Sequence, residues 1–191
     1  VAGVLDRFGQ VKPTVLIAAD GYVYANRRHT RLDRLSEVVA GLPSLEAVIV
    51  HGELEEEPDL GHVREGNRGL PIVTLDQAVE AGRRAAQGGF GADPDALYPF
   101  DHPLYILYSS GTTGVPKCIV HRAGGLLVKH VVEQQLHCDI RPGDRVFYFT
   151  TCGWMMWNWL ASALASGATI VLYDGSPFHP DRDVMWSLAE Q

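Results

Sequence analysis

Apolar positions in the first half of the chain alternate between two periods. Residues 14–19 form a short β-branched apolar run that ends at Asp20-Gly21, which predicts a strand followed by a turn. A helix is predicted next from apolar residues at helical spacing, namely Leu32, Leu35, Val38, Val39 and Leu42. Residues 45–50 are again typical of a strand. A strand, a helix and a strand at this length form a βαβ unit, which predicts a parallel sheet with helices packed on its faces.

The next stretch predicts a surface loop and then a capped helix. Five acidic residues lie between positions 53 and 59, and nothing periodic follows up to residue 70. A solvated loop is therefore expected, with a cation site as the functional alternative. Thr74-Leu75-Asp76-Gln77 has the spacing of a capping box, which predicts a helix over about residues 75–86. Chain breakers follow at Gly88, Gly89, Gly91, Pro94 and Pro99.

From residue 104 onwards, strands and helices alternate. Strands are predicted over residues 104–108, 118–121, 146–150 and 168–173, the first of them buried. A helix is predicted over residues 126–136, with an inward face of Leu127, Val128, Val131, Val132 and Leu136. A second helix is predicted before Gly167, a turn at residues 141–144, and the start of a further helix at residues 181–191. The fold class is therefore predicted to be α/β, with parallel-rich sheets and packed helices.

Composition and charge narrow the function classes. The 191 residues are 46% hydrophobic and 20% charged, which excludes a disordered or coiled-coil chain. The net charge of -7 has the wrong sign for nucleic-acid binding, and no apolar run approaches the roughly 18 residues of a membrane span. Three cysteines, an odd number in a chain of this size, indicate a reducing, cytoplasmic compartment.

The strongest chemical signal is the loop Ser109-Ser110-Gly111-Thr112-Thr113-Gly114-Val115-Pro116-Lys117. Its glycines allow the backbone to curl so that several N–H groups point at one anion, its hydroxyls add donors, and Lys117 adds a positive charge. This pattern predicts a phosphate-binding loop, with an ordinary polar turn as the alternative. The loop lacks the glycine spacing and the following helix of a Walker A motif, so kinase-type and GTPase-type functions lose support.

A dense aromatic and thioether cluster follows the predicted strand at residues 146–150. Trp157, Trp159 and Leu160 have the helical spacing of core residues. Trp154, Met155 and Met156 lie closer to the strand, and open α/β sheets bind ligands beyond the carboxyl ends of their strands. These three side chains are therefore candidates for a ligand pocket.

The spacings of histidine and cysteine do not predict a metal site. Cys118 and His121 are three residues apart on a predicted strand, and His137 and Cys138 are adjacent. Neither spacing matches the paired ligands of a zinc site, so no metal ligand is predicted. His121 is expected to be a hydrogen-bonded structural residue.

Residues 109–117 resemble the signature loop of the AMP-forming acyl-CoA synthetases, a family of adenylate-forming ligases, and Tyr108 and His121 on either side also fit. The similarity extends over nearly the whole chain and is greatest to the branch that activates acetoacetate. Its further segments are residues 19–22, 42–45, 151–159 and 172–178. One departure is Cys118, because many relatives have Gly after the loop lysine.

The resemblance implies a two-step reaction. A short carboxylate, with acetoacetate as the expected acid, attacks the α-phosphate of ATP, and the thiol of coenzyme A then displaces AMP. Magnesium is implied as the companion of the triphosphate. The phosphates would be held by Ser109, Ser110, Gly111, Thr112, Thr113, Gly114 and Lys117, and Lys117 would stabilise charge in the transition state. Trp154, Met155 and Met156 would line the acyl pocket.

The resemblance also implies a division of the chain. Residues 1–100 are expected to form a βαβ-type subdomain portion, and residues 101–191 the phosphate-loop and acyl-pocket portion. Both would belong to the large N-terminal domain of a longer ligase, with the C-terminal domain and its adenylation lysine absent, so this chain alone is expected to be inactive. A non-catalytic nucleotide-binding module and a phosphotransferase are the alternatives.

Overall fold

The structure, a computed structural model, describes residues 1–67, 69–86, 97–109 and 114–190. These residues form two compact units. Unit 1 consists of Val1–Pro94, Gly111–Pro116 and Gly175–Gln191, and unit 2 consists of Asp95–Ser110 and Lys117–Asp174.

Unit 1 is an α/β unit built on a three-stranded parallel sheet. In chain order its first elements are α1 (Ala2–Val11), β1 (Val15–Ala19), β2 (Gly21–Tyr24), β3 (Arg27–Thr30), α2 (Leu32–Ala40), β4 (Ala47–His51), α3 (Gly61–Gly66), β5 (Ile72–Thr74) and α4 (Leu75–Ala85). The sheet has the order β1-β4-β5, and both strand pairs are parallel. The predicted βαβ unit is therefore confirmed.

The core of unit 1 lies between α2 and the sheet. Leu35, Val38 and Val39 of α2 are buried in one cluster with Val48 and Val50 of β4. This is the arrangement expected when a helix with an apolar stripe covers strands that are rich in valine.

An antiparallel hairpin, β2–β3, lies between β1 and α2, where the sequence predicts only a turn. Its connection is Ala25-Asn26, and both residues have positive φ, 48° and 59°. Two-residue hairpin turns of this kind are usually marked by Asn-Gly or Asp-Gly. Because Ala25 replaces those signals, the hairpin left no recognisable mark in the sequence.

The acidic segment of residues 53–59 contains no helix or strand, as predicted, but the expectation of a loop up to residue 70 is wrong. The short helix α3 follows, and it buries Val63. Six residues make fewer than two helical turns, too few for a visible apolar period. The capped helix α4 is confirmed, because Thr74 and Gln77 exchange the two hydrogen bonds of a capping box.

Unit 2 contains a hairpin and a second strand–helix–strand unit. Its elements are β6 (Pro103–Ser109), β7 (Lys117–Arg122), α5 (Ala123–Val131), a π-helical turn (Val132–His137), β8 (Arg145–Phe147), α6 (Met155–Ser162), a 3-10 turn (Ala163–Ser166) and β9 (Thr169–Val171). β6 and β7 are antiparallel, whereas β8 and β9 are parallel. The last helix, α7 (Val184–Ala189), belongs to unit 1.

Two predictions about burial in unit 2 are wrong. Four of the five residues predicted to face inward are exposed, namely Leu127, Val128, Val132 and Leu136. The buried side chains of this helical segment are His130 and Gln134. Those polar groups are buried because α6 and the 3-10 turn supply hydrogen-bond partners that offset their desolvation. β6 is at most half-buried, because the sheet to which it belongs has two strands among the described residues.

None of the helices in the described ranges has the length and the apolar character required to cross a membrane.

Candidate functional site

Ser109 and Lys117, the two ends of the predicted phosphate loop, lie opposite each other at the base of a hairpin. Ser109 is the last residue of β6, Lys117 is the first residue of β7, and the register pairs them directly. Side chains of directly opposed residues in an antiparallel pair lie on the same face. The Ser109 hydroxyl and the exposed Lys117 side chain therefore share one face, from which both can contact one anion.

Gly114 holds a backbone conformation that other residues rarely adopt. Its φ is 105°, and a Cβ placed on it would meet no atom of the described residues within 4 Å. Glycine is thus required here by conformation and not by lack of space. Of the other predicted phosphate ligands, Ser110, Gly111, Thr112 and Thr113 lie outside the described residues.

The end of the loop in unit 1 is fixed by a side chain that the sequence did not single out. Gln10 of α1 donates a hydrogen bond from Nε2 to the carbonyl oxygen of Pro116 at 2.8 Å. These residues are 106 positions apart in the chain. Nothing in the local sequence around Gln10 marks such a long-range contact.

Cys118 and His121 do not converge on a common ligand. Cys118 is paired with Tyr108 across the hairpin, and His121 is paired with Tyr105. Residues three apart on a strand point to opposite faces, so the thiol and the imidazole are separated by the sheet. The ring of His121 packs against that of Tyr105 with centroids 5.2 Å apart, which is a structural contact.

Trp154, Met155 and Met156 line an open cavity of about 350 Å³. Its other lining residues come from the segment that joins β8 to α6, namely Tyr148, Phe149, Thr150 and Thr151. Trp154 is 69% exposed and Met155 is 52% exposed, so neither is part of a packed core. The structure therefore brings together the three predicted pocket residues and adds four that the sequence analysis missed.

The neighbouring aromatic residues follow the alternative of core packing. Leu160 is 1% exposed, and Trp159 packs against the cluster of Ile140, Ala163 and Ala168. The first turn of α6 therefore lines the cavity, and the later residues of the helix pack in the core.

A buried polar network fixes the far side of α6. Gln134 donates from Nε2 to the carbonyl oxygen of Trp159 at 2.8 Å and to Ser162 Oγ at 2.9 Å, and its Oε1 accepts from Ser166 Oγ at 3.2 Å. Ser162 Oγ also donates to the Trp159 carbonyl at 2.7 Å. Gln134 has no exposed surface, so water does not compete for these hydrogen bonds.

His130 completes this network. Its Nδ1 lies 2.8 Å from Ser162 Oγ, so a hydrogen bond joins the imidazole to the hydroxyl. Burial lowers the pKa of His130, so the ring is neutral near pH 7.

In unit 1, the acidic loop is organised by a buried carboxylate. Asp20 accepts backbone hydrogen bonds at 2.9–3.0 Å from Glu53, Leu54 and Glu55. Burial alone would raise the pKa of Asp20, but these bonds and one from the Gly21 backbone lower it below its usual value. Across the described part of the chain, no group of three or more His, Cys, Asp or Glu side chains is placed to hold a metal ion.

Comparison with known proteins identifies the family. The model of a protein family described as AMP-binding enzyme matches residues 6–191. The chain therefore belongs to the family of AMP-binding enzymes.

Relatives of known activity are similar over almost the whole chain. An acetoacetyl-coenzyme A synthetase of Rhizobium meliloti (strain 1021) is 48% identical over 189 residues, which are 98% of this chain and 27% of the relative. A malonamoyl-CoA synthetase of Penicillium aethiopicum is 45% identical over 182 residues, 94% of this chain and 24% of the relative.

A solved structure agrees with the fold. The acetoacetyl-CoA synthetase from Streptomyces lividans is 46% identical and superposes with a TM-score of 0.80, covering 99% of this chain and 26% of that one. The chain thus spans about a quarter of the length of the relatives that it matches.

Proposed function

We propose that this chain is the phosphate-loop and acyl-pocket segment of a longer AMP-forming acid–thiol ligase that converts acetoacetate to its coenzyme A thioester. In the first step, a carboxylate oxygen attacks the α-phosphorus of ATP and the bond to the β-phosphate breaks, which gives acyl-adenylate and pyrophosphate. In the second step, the thiol sulfur of coenzyme A attacks the acyl carbon, loses its proton, and AMP leaves.

The observation that carries this proposal is the hairpin that joins Ser109 to Lys117. Negative charge grows on the leaving pyrophosphate, and donors that are fixed before the reaction stabilise such charge without reorganising. Pairing of Ser109 with Lys117 fixes both ends of the loop. The Lys117 ammonium would contact the departing phosphates, with Ser109, Ser110, Thr112, Thr113 and the amides of Gly111 and Gly114 as further donors.

The acyl cavity supports a short acid as the substrate. Trp154, Met155 and Met156 would pack against the acyl chain and exclude water from the acyl carbon. The acyl groups in the names of the two similar synthetases, acetoacetyl and malonamoyl, are both short and both carry a carbonyl at C3. Acetoacetate fits that description.

The proposal also includes a metal ion, a cellular compartment and a division of the chain. Magnesium would accompany the triphosphate, but the described residues offer no cluster that would hold it, so no step is assigned to it. The ligase would act in the cytoplasm, in the metabolism of acyl chains and lipids. The division at residue 100 into a βαβ-type portion and a phosphate-loop portion belongs to the same proposal.

The test is a comparison of the two half-reactions in the complete ligase that carries this segment. Lys117→Ala should lower acetoacetate-dependent pyrophosphate exchange by about 100- to 1000-fold, as loss of one preorganised donor does in comparable sites. Thioester formation from pre-made acetoacetyl-adenylate should fall much less, because pyrophosphate has already left.

Lys129→Ala is the matched control, because Lys129 is an exposed lysine of the same unit that pairs with Glu133. It should leave both rates unchanged. Equal losses in both half-reactions for Lys117→Ala would show that Lys117 supports the fold or coenzyme A binding instead. Absence of any acid-dependent exchange in the unsubstituted ligase would refute the function itself.

A further inference from the structure

The side chains that line the acyl cavity are mostly apolar. Phe149, Met155 and Met156 present carbon and sulfur, and Trp154 adds an indole ring with one N–H donor. Hydroxyl groups come from Tyr148, Thr150 and Thr151. An apolar wall discriminates poorly between acids of similar size, whereas a hydrogen-bonding group inside it discriminates strongly. Among the lining side chains, the groups that can hydrogen-bond the acid, and so select between acids of equal length, are these three hydroxyls and the Trp154 N–H.

The three hydroxyls differ in their surroundings. The Thr150 hydroxyl donates to the Thr151 carbonyl oxygen at 3.3 Å, so its hydrogen is already engaged. The ring of Tyr148 packs edge-on against Trp159, with centroids 6.4 Å apart, on the core side of α6. The Thr151 hydroxyl has no hydrogen-bond partner in the part of the chain that the structure describes, and the Thr151 side chain is exposed.

Backbone contacts place Thr151 beside the acyl-contacting residues. The Trp154 N–H donates to the Thr151 carbonyl at 3.1 Å, which forms a tight turn just before α6. A Cβ on Gly153 would lie 3.9 Å from Thr151 Oγ1, an ordinary van der Waals contact, so the Thr151 hydroxyl lies beside the turn at Gly153.

We propose that the Thr151 hydroxyl donates a hydrogen bond to the C3 carbonyl oxygen of the acid and thereby selects 3-carbonyl acids over plain acids of the same length. This inference rests on the proposed function, since it assigns one contact within the acyl cavity. A carbonyl oxygen accepts a hydrogen bond and a methylene group does not. The substrate class is then defined by the C3 carbonyl, and the group beyond it, methyl or amino, meets the apolar wall.

The experiment measures acid-dependent pyrophosphate exchange in the complete ligase with three acids: acetoacetate, 3-amino-3-oxopropanoate and butanoate. Butanoate has the carbon chain of acetoacetate without the C3 oxygen. In Thr151→Val, which replaces the hydroxyl with a methyl group, the ratio of kcat/KM for acetoacetate to that for butanoate should fall about 3- to 10-fold, the range for one neutral hydrogen bond. The ratio for 3-amino-3-oxopropanoate should fall in parallel.

Thr151→Ser keeps the hydroxyl and should retain the unsubstituted ratio. Thr150→Val should leave the ratio within about twofold, because the Thr150 hydroxyl already donates to the Thr151 carbonyl oxygen. Tyr148→Phe keeps the ring that packs against Trp159 and should also leave the ratio within about twofold. A larger fall in either of them than in Thr151→Val would overturn the assignment. So would an unchanged ratio in Thr151→Val.

The ratio also separates the two proposals. If the unsubstituted ligase activates both acetoacetate and butanoate and Thr151→Val changes neither relative to the other, the proposed function stands and the Thr151 contact is refuted. If no acid supports exchange, the proposed function fails first. Loss of stability in Thr151→Val would lower all three rates alike and leave the ratio unchanged, so it would not imitate the fall that the proposal predicts.

Discussion

Each of the two strand–helix–strand units has a helix between two parallel strands, but the side chains buried next to the two helices differ in polarity. Helix α2, between β1 and β4, covers an apolar cluster of ten buried residues. Helix α6, between β8 and β9, borders an apolar cluster of three buried residues, and beside it lie buried His130, Gln134 and Ser166.

The difference shows what each helix is required to do. Apolar burial is non-directional, so it holds a helix on a sheet but tolerates small rotations and shifts. Hydrogen bonds have strict distance and angle requirements, so they also fix the rotation and register of a helix. Helix α6 carries Met155 and Met156 in its first turn. Hydrogen bonds to the Trp159 carbonyl and Ser162 therefore position the cavity wall.

The largest expected effect tests the apolar core of unit 1. Leu42→Ala removes a side chain that is 2% exposed and should lower the free energy of unfolding by about 2–5 kcal/mol. Leu127→Ala, at an exposed position of α5, is the matched control and should change it by less than about 0.5 kcal/mol. Denaturant unfolding of both variants provides the measurement. Similar losses for the two would contradict the assignment of the core.

The second prediction concerns Asp20 and pH. Asp20→Asn should lower the free energy of unfolding at pH 7 by about 1.5–3 kcal/mol, since a charged acceptor is lost. The folded pKa is lowered, so this contribution is complete above the unfolded pKa of about 3.9 and is lost as the pH falls through the folded pKa.

The measurement for Asp20 is the pH dependence of unfolding. The gap between the unsubstituted chain and Asp20→Asn should narrow as the pH falls below about 4. Exposed Asp33 gives a control, and Asp33→Asn should produce a gap close to zero at every pH. If the difference in the free energy of unfolding grew as the pH fell, the lowered pKa of Asp20 would be contradicted.

The third and smallest effect tests the polar network of unit 2. Gln134→Leu leaves the buried hydroxyl of Ser166 without its acceptor, and should lower the free energy of unfolding by about 1–3 kcal/mol. Gln135→Leu, which removes a single 3.4 Å bond, should cost less than about 1 kcal/mol.

A rotation of α6 in Gln134→Leu should also change the near-ultraviolet circular dichroism, since Trp157 and Trp159 lie on that helix. Gln135→Leu should leave this spectrum unchanged. Equal spectra and equal stabilities for the two variants would mean that the network does not position α6.

Prediction from sequence succeeded where one element carries its own pattern. The apolar stripe of α2, the capping box at Thr74 and the turn at Gly143 depend on neighbours in the chain, and all three are present. The positions of Trp154, Met155 and Met156 beyond a strand end also follow from local order, and they share one cavity.

Prediction failed where burial depends on a distant partner. His130 and Gln134 are buried because Ser162 and the Trp159 carbonyl reach them from 25 or more residues away. A period of apolar residues cannot reveal that a polar side chain will find such partners, so the pattern predicts the exposed Leu127 and Val128 as the inner face. Thr151 was missed for a related reason, because an isolated threonine after a strand has no pattern.

The hairpin at Ser109 and Lys117 has a consequence for the order of events in folding. Its two strands are adjacent in the chain, with seven residues between the paired ends. By contrast, β1 and β4 pair residues that are 32 positions apart, as in Val15 with Ala47. Loop closure costs more entropy for longer loops, and hairpins close in about 1–10 μs. The ends of the predicted phosphate loop therefore come together early, before the parallel sheet of unit 1 is complete.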